Sequence, residues 1–197
     1  MKPLSLNEPH LIIMTGIPGS GKTFFAEHFS DTFKAPCVSF NRLRNELFND
    51  PTYSNDELAI IGRVANYMLG ELFKTGLTVV YDGLADTKSS RQAIARKAES
   101  NGYQPLIVWV QTESTAARAR TTKTVPGKVK MSKDRFDANQ KRFSAPSAEE
   151  KAVVISGKHT YASQLKIILS RLVVTTVKTD DNHAPVRGSE ERHITIR

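Results

Sequence analysis

Short apolar runs alternate along the chain with longer amphipathic stretches. The runs LIIMT, LTVVY and LIVWV hold few polar positions, which is typical of strands that are buried on both faces. The stretches between the runs repeat apolar residues every three or four positions, as amphipathic helices do. This alternation predicts an α/β fold with a doubly wound, five-stranded parallel sheet and helices on both faces. The predicted strands are residues 11–15, 37–40, 77–81, 106–110 and 152–155.

Capping and turn residues predict where several helices begin and end. Ser54 and Glu57 have the spacing of a capping box, which predicts the start of a long helix that ends at Gly76. Asp86 is assigned as the N-cap of a charged helix over residues 88–102. The other helices are predicted at residues 22–33, after the second strand up to residue 47, and at residues 116–119, 132–143 and 161–172.

The charge of the chain is unevenly distributed. Its 197 residues include 28 Lys and Arg against 20 Asp and Glu, a net charge of +8, and this length predicts one globular domain. Residues 118–142, here called the basic segment, hold nine cationic residues against two aspartates. A basic segment on a nearly neutral body indicates a site for an anionic ligand. Pro126 and Gly127 predict a loop within it.

Cysteine content and hydropathy favour a cytoplasmic protein. Cys37 is the single cysteine, so the chain has no intrachain disulfide or cysteine metal cluster, and its strand position favours a small buried residue. The first ten residues lack the apolar core of a signal peptide, and no apolar run reaches the roughly 18 residues of a membrane span. Residues 1–178 are predicted to form the domain, and the polar residues 179–197 a flexible tail.

Residues 16–23 read GIPGSGKT and satisfy the pattern of a phosphate-binding P-loop. The motif follows an apolar run and opens an amphipathic stretch, so its glycines can turn successive backbone N–H groups towards a phosphate at a helix N-terminus. Lys22 is expected to reach the outer phosphates of a nucleotide, and Thr23 to offer its hydroxyl to Mg²⁺. The predicted nucleotide-binding residues are Gly16, Ile17, Pro18, Gly19, Ser20, Gly21, Lys22 and Thr23.

Asp82 directly follows the apolar run LTVVY and is the candidate for a second metal ligand. Ligands of open parallel sheets bind at the carboxyl ends of the strands, the edge where the P-loop also lies. Mg²⁺ prefers oxygen ligands such as carboxylates, so Asp82 is expected to bind the metal directly or through water. The alternative, that Asp82 only caps the following turn, stays open.

Arg118 and Arg120 follow the fourth strand and begin the basic segment. Phosphoryl transfer passes through a loose transition state whose spread negative charge must be neutralised, and arginine forks do this well. One of the two arginines is therefore expected to contact the transferring phosphoryl group. The basic segment is expected to form a lid over the nucleotide, and a solvated helix-loop-helix is the alternative for its lysines.

Taken in order, these elements resemble the small P-loop kinases of the AAA_33 and polynucleotide-kinase-like group, most closely the phage-type polynucleotide 5′-hydroxyl kinase domain. The resemblance spans roughly residues 10–172. GIPGSGKT is similar to the P-loop of that family, VVYDGLADTKSSR to its Asp-ended strand and following helix, and RARTTKTVP to its arginine-rich lid. SFNRLRNEL, residues 39–47, stands where the family has a strand followed by an Asp-x-x-Arg element.

This resemblance implies a P-loop NTPase fold with a basic lid. It implies transfer of the γ-phosphate of ATP, with Mg²⁺, to a hydroxyl of a polynucleotide 5′-end or a nucleotide-like metabolite. The implied catalytic residues are Lys22, Asp82, Arg118 and Arg120, the implied metal ligands are Thr23 and Asp82, and the implied acceptor-binding residues are Asn41, Arg44 and Asp82.

The chain departs from the family pattern at Asn41, which occupies the position of the family aspartate, whereas Arg44 matches the family arginine. That aspartate takes the proton of the attacking hydroxyl. An amide cannot act as a general base at neutral pH, and base catalysis typically contributes about 10²- to 10⁴-fold. Positioning and charge stabilisation contribute as well, and Asp82 is the replacement base if the acceptor approaches from a different side.

Two alternative functions stay open from the sequence. A zeta-toxin-like kinase would use the same core to phosphorylate a nucleotide sugar. A nucleotide-binding regulatory module would bind ATP and Mg²⁺ without transfer, and Asn41 would then mark lost catalysis. A nucleic-acid-binding protein without catalysis is less favoured, because common DNA- and RNA-binding signatures are absent and Trp109 lies in an apolar strand that predicts a core position.

Overall fold

The computed structural model describes residues 8–122 and 131–180, with side chains up to residue 172. The five strands form one sheet in the order β2-β3-β1-β4-β5, and every pairing is parallel. The predicted doubly wound α/β fold is therefore confirmed. The strands are β1 His10–Thr15, β2 Cys37–Ser39, β3 Val79–Asp82, β4 Gln104–Gln111 and β5 Val153–Ser156.

Helices follow each strand in the described residues. They are α1 Lys22–Phe33, α2 Phe40–Leu47, α3 Asn55–Phe73, α4 Lys88–Glu99, α5 Ser114–Thr122, α6 Lys133–Arg142 and α7 Tyr161–Asp180, with a short 3₁₀ helix at Ala148–Glu150. Across residues 8–122 and 131–180, none of these helices combines the length and the apolar character that a membrane crossing requires.

Both faces of the sheet are buried, which explains why its strands lack polar alternation. On β1, Leu11 and Ile13 pack against α3 and α4, whereas Ile12 and Met14 pack against α1 and α7. Each fully buried side chain of this size contributes roughly 1.5–3 kcal/mol of hydrophobic free energy. On the long helix α3, Ile61, Ala65 and Leu69 are buried, and Leu58, Met68 and Leu72 are partly buried against the same core.

Several predicted boundaries are wrong by a few residues. Phe40 is not a strand residue but begins α2, and β3 starts at Val79 and includes Asp82. Helix α7 continues to Asp180, beyond the expected end at residue 172. The division between a domain of residues 1–178 and a tail of residues 179–197 stays a prediction, because residues 181–197 lie outside the described residues.

Two predicted caps are also corrected. Ser54 accepts a hydrogen bond from the Glu57 N–H as expected, but the Glu57 carboxylate accepts from the N–H groups of Thr52 and Tyr53, so only half of a capping box forms. Thr87, not Asp86, is the N-cap of α4, and it accepts from the Ser90 N–H. The Asp86 carboxylate instead pairs with Arg142 at the end of α6.

A buried ion pair connects the residues that follow α6 to helix α4. Arg91 on α4 is fully buried, and its Nε and Nη2 donate to the two carboxylate oxygens of Glu150 at 2.7 and 2.9 Å. Its Nη1 donates to the carbonyl oxygens of Ala85 and Ser144. Ala85 also accepts from the hydroxyl of Thr15, the last residue before the P-loop. Arg91 therefore connects the residues that follow the basic segment, Ser144 and Glu150, to Ala85, which contacts the residue before the P-loop.

Replacing Arg91 with Met should destabilise the domain by about 3–5 kcal/mol, because the buried Glu150 carboxylate then loses its partner. The free energy of unfolding in urea measures this loss. The matched control is Lys88→Met, which breaks an exposed ion pair with Glu149 and should cost about 0–1 kcal/mol. Equal losses in the two variants would contradict the anchoring role.

Candidate active site

The P-loop backbone packs directly against its neighbours. Gly19 has a φ of 76°, and a Cβ atom there would overlap the carbonyl oxygen of Ala117 on α5. A glycine is required at this position, because only glycine combines the left-handed conformation with so close an approach. The first helix of the predicted lid therefore rests on the P-loop itself.

Lys22 points into the P-loop, at the open N-terminus of α1. Its ammonium group donates to the carbonyl oxygens of Gly16 and Ile17 at 2.6 and 3.1 Å. Burial lowers the pKa of Lys22, while the carboxylates of Asp82 and Asp86 oppose this effect. The N-cap of α1 is a glycine, which has no side chain to cap the first N–H groups of the helix. A partly buried cation thus lies beside helix N–H groups that no side chain caps, an arrangement that suits a phosphate.

The structure brings Thr23 and Asp82 together, as the sequence analysis expects of a metal site. The Thr23 hydroxyl donates to Oδ2 of Asp82 at 2.7 Å, and Asp82 is only 5% exposed. Ser39, which pairs with Asp82 across β2 and β3, donates to the same oxygen at 3.3 Å. Hydroxyl and carboxylate oxygens are ligands that Mg²⁺ accepts, so Thr23 and Asp82 fit the proposed metal. Sequence reasoning missed Ser39, although it ends a strand at the same sheet edge.

The loop after β5 forms a second wall of the P-loop. A Cβ atom at Gly157 would overlap the carbonyl oxygen of Ser20, so the two backbones are in direct contact. Thr112, just beyond β4, donates its hydroxyl to the same Ser20 carbonyl at 2.9 Å. Sequence reasoning missed Gly157. Its position directly after the last strand is the sequence feature that could have identified it.

The two arginines of the basic segment have different surroundings. Arg120 donates to the carbonyl oxygens of Gly19 and Gly157 at 3.3 and 3.1 Å, so it spans the P-loop and the loop after β5. Arg118 instead pairs with Asp137 on α6 and lies over the ring of Phe136. The structure thus brings Arg120, but not Arg118, to the P-loop. The predicted lid loop, with Lys123, Lys128 and Lys130, lies outside the described residues.

The acceptor-binding residues inferred from the resemblance lie on α2, which starts directly after Ser39. Asn41 is exposed in the first turn of this helix. Arg44, one turn later, is 7% exposed, and its Nε lies 3.5 Å from the carboxylate of Glu57. That Nε has no hydrogen-bond partner among the described residues. Arg44 is therefore a buried cation with spare hydrogen-bonding capacity close to the edge that carries Asp82.

Tyr53 is held between two arginines, in a cluster here called the arginine–tyrosine stack (Arg44, Tyr53 and Arg135). The guanidinium carbons of Arg44 and Arg135 lie 4.5 and 3.7 Å from the centre of the Tyr53 ring. Burial lowers the pKa of Arg135, and Arg44 lowers it further, whereas Tyr53 and Glu57 raise it. Because Arg135 is on α6, the stack joins the second helix of the basic segment to α2. Sequence reasoning missed Tyr53 and Arg135.

Trp109 is not the core residue that its apolar strand predicts. It is partly exposed on β4, and its ring centre lies 6.3 Å from that of Phe143. The two rings line a cleft of about 430 Å³ that also contains Ile17 of the P-loop. Phe143, the residue that follows α6, is thus the aromatic neighbour of Trp109 at this end of β4.

Comparison with known proteins agrees with this geometry. A protein-family model, AAA_33, described as an AAA domain, matches residues 11–146, about two thirds of the chain. Comparison with curated proteins gives no match.

Solved structures with the same fold include several kinases. A gluconokinase from Sinorhizobium meliloti 1021 is 16% identical, with a TM-score of 0.61, 91% of this chain covered and 100% of the other. A sugar kinase from Janibacter sp. HTCC2649 is 14% identical, with a TM-score of 0.61 and coverage of 86% and 97%. The Mycobacterium tuberculosis APS kinase CysC, in complex with AMPPNP and APS, is 16% identical, with a TM-score of 0.62 and coverage of 85% and 98%. At these identities the likeness shows the fold alone.

Cys37, next to the site on β2, should be unreactive in the folded protein. Burial raises the pKa of its thiol to about 12, and the Asp82 carboxylate adds to this rise. At pH 8 only about one thiol in 10⁴ is then ionised, so iodoacetamide should react about 10³-fold more slowly than with the unfolded chain. Mass spectrometry of timed samples measures both rates, and the folded rate should rise about tenfold per pH unit. Equal rates would contradict the raised pKa.

Proposed function

This chain belongs to the AAA_33 family, and from that premise we propose that it is a P-loop kinase that transfers the γ-phosphate of ATP to a hydroxyl group. The observation that carries the proposal is the hydrogen bond between Thr23 and the buried carboxylate of Asp82, directly beside a complete P-loop. A hydroxyl and a carboxylate held at the open N-terminus of α1 are suited to a Mg²⁺ ion and the phosphates that it accompanies.

In this proposal the residues of the P-loop bind the β- and γ-phosphates through their backbone N–H groups. Lys22 exchanges its two carbonyl partners for phosphate oxygens, which favours its charged form again. Arg120 is the arginine that supports transfer, because it already contacts the P-loop. Thr23 and Asp82 would hold Mg²⁺, which when bound neutralises charge on the phosphates. Arg118, also on α5, would reach the phosphates only if it released Asp137 on α6.

Proton removal from the acceptor falls to Asp82 in this proposal. Asn41 cannot accept a proton at neutral pH, and it lies exposed on the first turn of α2. Thr23 and Ser39 both donate to Oδ2 of Asp82, which orients the carboxylate at the sheet edge that also carries the P-loop. In this proposal the acceptor hydroxyl approaches Asp82 from the side of α2, which starts directly after Ser39.

The arginine–tyrosine stack favours an acceptor that carries an anionic group. Arg44 and Arg135 share one close carboxylate, Glu57, so the cluster keeps an excess positive charge. A phosphate or carboxylate on the acceptor would use the free hydrogen-bonding capacity of Arg44. Nucleotide-like metabolites and polynucleotide 5′-ends both satisfy this requirement. The sugar kinase, gluconokinase and APS kinase of the same fold favour the small metabolite.

Replacing Lys22 with Ala should lower phosphate transfer by about 10²- to 10³-fold, because the charge that the γ-phosphate develops loses a fixed cation. Transfer is measured with γ-labelled ATP and a panel of acceptors: small phosphorylated metabolites and nucleotides, 5′-hydroxyl oligonucleotides, nucleotide sugars, and neutral sugars. The matched control is Lys166→Ala, an exposed lysine on α7, which should leave transfer unchanged.

The same panel separates the candidate acceptors. Labelling confined to neutral sugars would contradict an anionic acceptor, and labelling of nucleotide sugars would favour a zeta-toxin-like kinase. Full activity of the Lys22→Ala variant would refute the kinase assignment itself.

Exchanging the two candidate base positions tests the role of Asp82. Asp82→Asn should lower kcat by about 10²- to 10⁴-fold, because the proton acceptor and a metal ligand are lost together. Asn41→Asp should change kcat by less than about tenfold, since the wild-type chain already has its base. If the wild type binds ATP without transfer and Asn41→Asp creates activity, the chain is a regulatory module that has lost catalysis.

A further inference from the structure

Phe24 is a large apolar side chain left exposed beside the phosphate site. It directly follows Thr23 on the first turn of α1, and 47% of its surface is accessible. Phe25, the next residue, is fully buried in the core. Other large apolar side chains are exposed as well, but Phe24 is the one that directly follows the P-loop, where a bound nucleotide would lie within reach of an aromatic ring.

Helix geometry decides which way Phe24 faces. Successive residues of an α-helix point about 100° apart, so Thr23 faces Asp82, Phe25 faces the sheet, and Phe24 lies on another side. His28, one turn later, shares that side, with its ring centre 4.1 Å from the Phe24 ring. Tyr161, the first residue of α7, follows at 5.3 Å from His28. These three rings, here called the aromatic platform, therefore face the start of α7.

This inference rests on the proposed function, which sets the direction in which a bound nucleotide lies across the sheet edge. Asp82 lies at the end of β3 and marks the side of the terminal phosphate. The sheet order β3-β1-β4-β5 then places the nucleoside end on the side of β4 and β5. Arg120 spans the gap between Gly19 and Gly157 on that same side. The aromatic platform ends at Tyr161, four residues after Gly157, so it lies near the loop that a nucleoside leaving the P-loop in this direction would approach.

We propose that Phe24 is a stacking platform for the base of the nucleotide. The face of an aromatic ring attracts any nucleobase, and the larger purines stack better than pyrimidines. Phe24 would thus contribute affinity for the nucleoside without contacting the phosphates. His28 and Tyr161 hold the ring in place, since His28 packs against Phe24 and the Tyr161 hydroxyl donates to the carbonyl oxygen of His28.

Comparing ATP with inorganic tripolyphosphate tests this role, because tripolyphosphate carries the same phosphates without a base. Isothermal titration calorimetry with Mg²⁺ gives Kd for both ligands on the full chain. Phe24→Leu keeps an apolar side chain but removes the ring, and it should weaken ATP about 5- to 100-fold, with tripolyphosphate unchanged within about twofold. Phe24→Tyr should bind ATP as the wild type does.

A second exposed aromatic residue provides the control. Tyr67 on α3 is 69% exposed and lies far along the chain from the P-loop, so Tyr67→Ala should change neither Kd. GTP should be weakened by Phe24→Leu about as much as ATP, and CTP and UTP less, because stacking scales with the size of the base.

Each outcome of the titrations decides one of the two proposals. If the wild type binds ATP and Phe24→Leu leaves that Kd unchanged, stacking is refuted while the kinase proposal stands. An equal loss for ATP and tripolyphosphate also refutes stacking, because Phe24 would then support the phosphate site. If the wild type binds neither ligand, the P-loop assignment and the stacking proposal both fail.

Discussion

The buried carboxylate of Asp82 is the interaction around which the site is organised. It lies at the end of β3 and receives hydrogen bonds from Thr23 on α1 and Ser39 on β2. Burying a carboxylate is costly unless it has such donors and a nearby cation, and Lys22, whose pKa is lowered by burial and raised by the Asp82 carboxylate, is that cation. The parallel sheet makes this possible because it brings the carboxyl ends of β1, β2 and β3 to one edge. The P-loop, the proposed metal ligands and the proposed acceptor helix α2 thus share a single electrostatic centre.

Two sets of contacts connect this centre to the basic segment. One lies on the nucleotide side of the proposed reaction, and the other on the acceptor side. On the nucleotide side, the P-loop backbone is pressed against α5 at Gly19 and against the loop after β5 at Gly157, and Arg120 bridges the two contacts. On the acceptor side, the arginine–tyrosine stack connects α2 to α6. Both helices of the basic segment are therefore fixed to the site, one at each side. Among the described residues of the basic segment, the cations Arg118, Arg120, Arg135 and Arg142 make contacts within the domain.

In the proposed function, the chain combines a complete P-loop with an acceptor element that departs from the polynucleotide-kinase pattern at Asn41. Asn41 removes the expected base, while Ser39 and Thr23 hold Asp82 in an orientation that suits the same task. Arg44 keeps its family position but is buried against Tyr53 and Glu57. A kinase arranged in this way would depend on charge and positioning more than on a dedicated base on α2, and its acceptor specificity would come from the arginines that frame the cleft.

The sequence by itself determined the features that depend on local order. The strands, the P-loop and the position of Asp82 can be predicted from consecutive residues. A strand buried on both faces needs a continuous apolar run, and a P-loop needs its strand, glycine turn and helix in order. The sequence also places Phe24 directly after Thr23, but only the folded structure shows that its ring is exposed. Only the tertiary structure decided the partners of long charged side chains. Arg91 pairs with Glu150, Arg118 pairs with Asp137, and Arg44 and Arg135 both pack on the ring of Tyr53. A periodic sequence pattern does not predict pairs at these separations. An arginine reaches whatever anion or ring the folded chain brings within a few ångströms, so its role follows from the fold and not from its position in a motif.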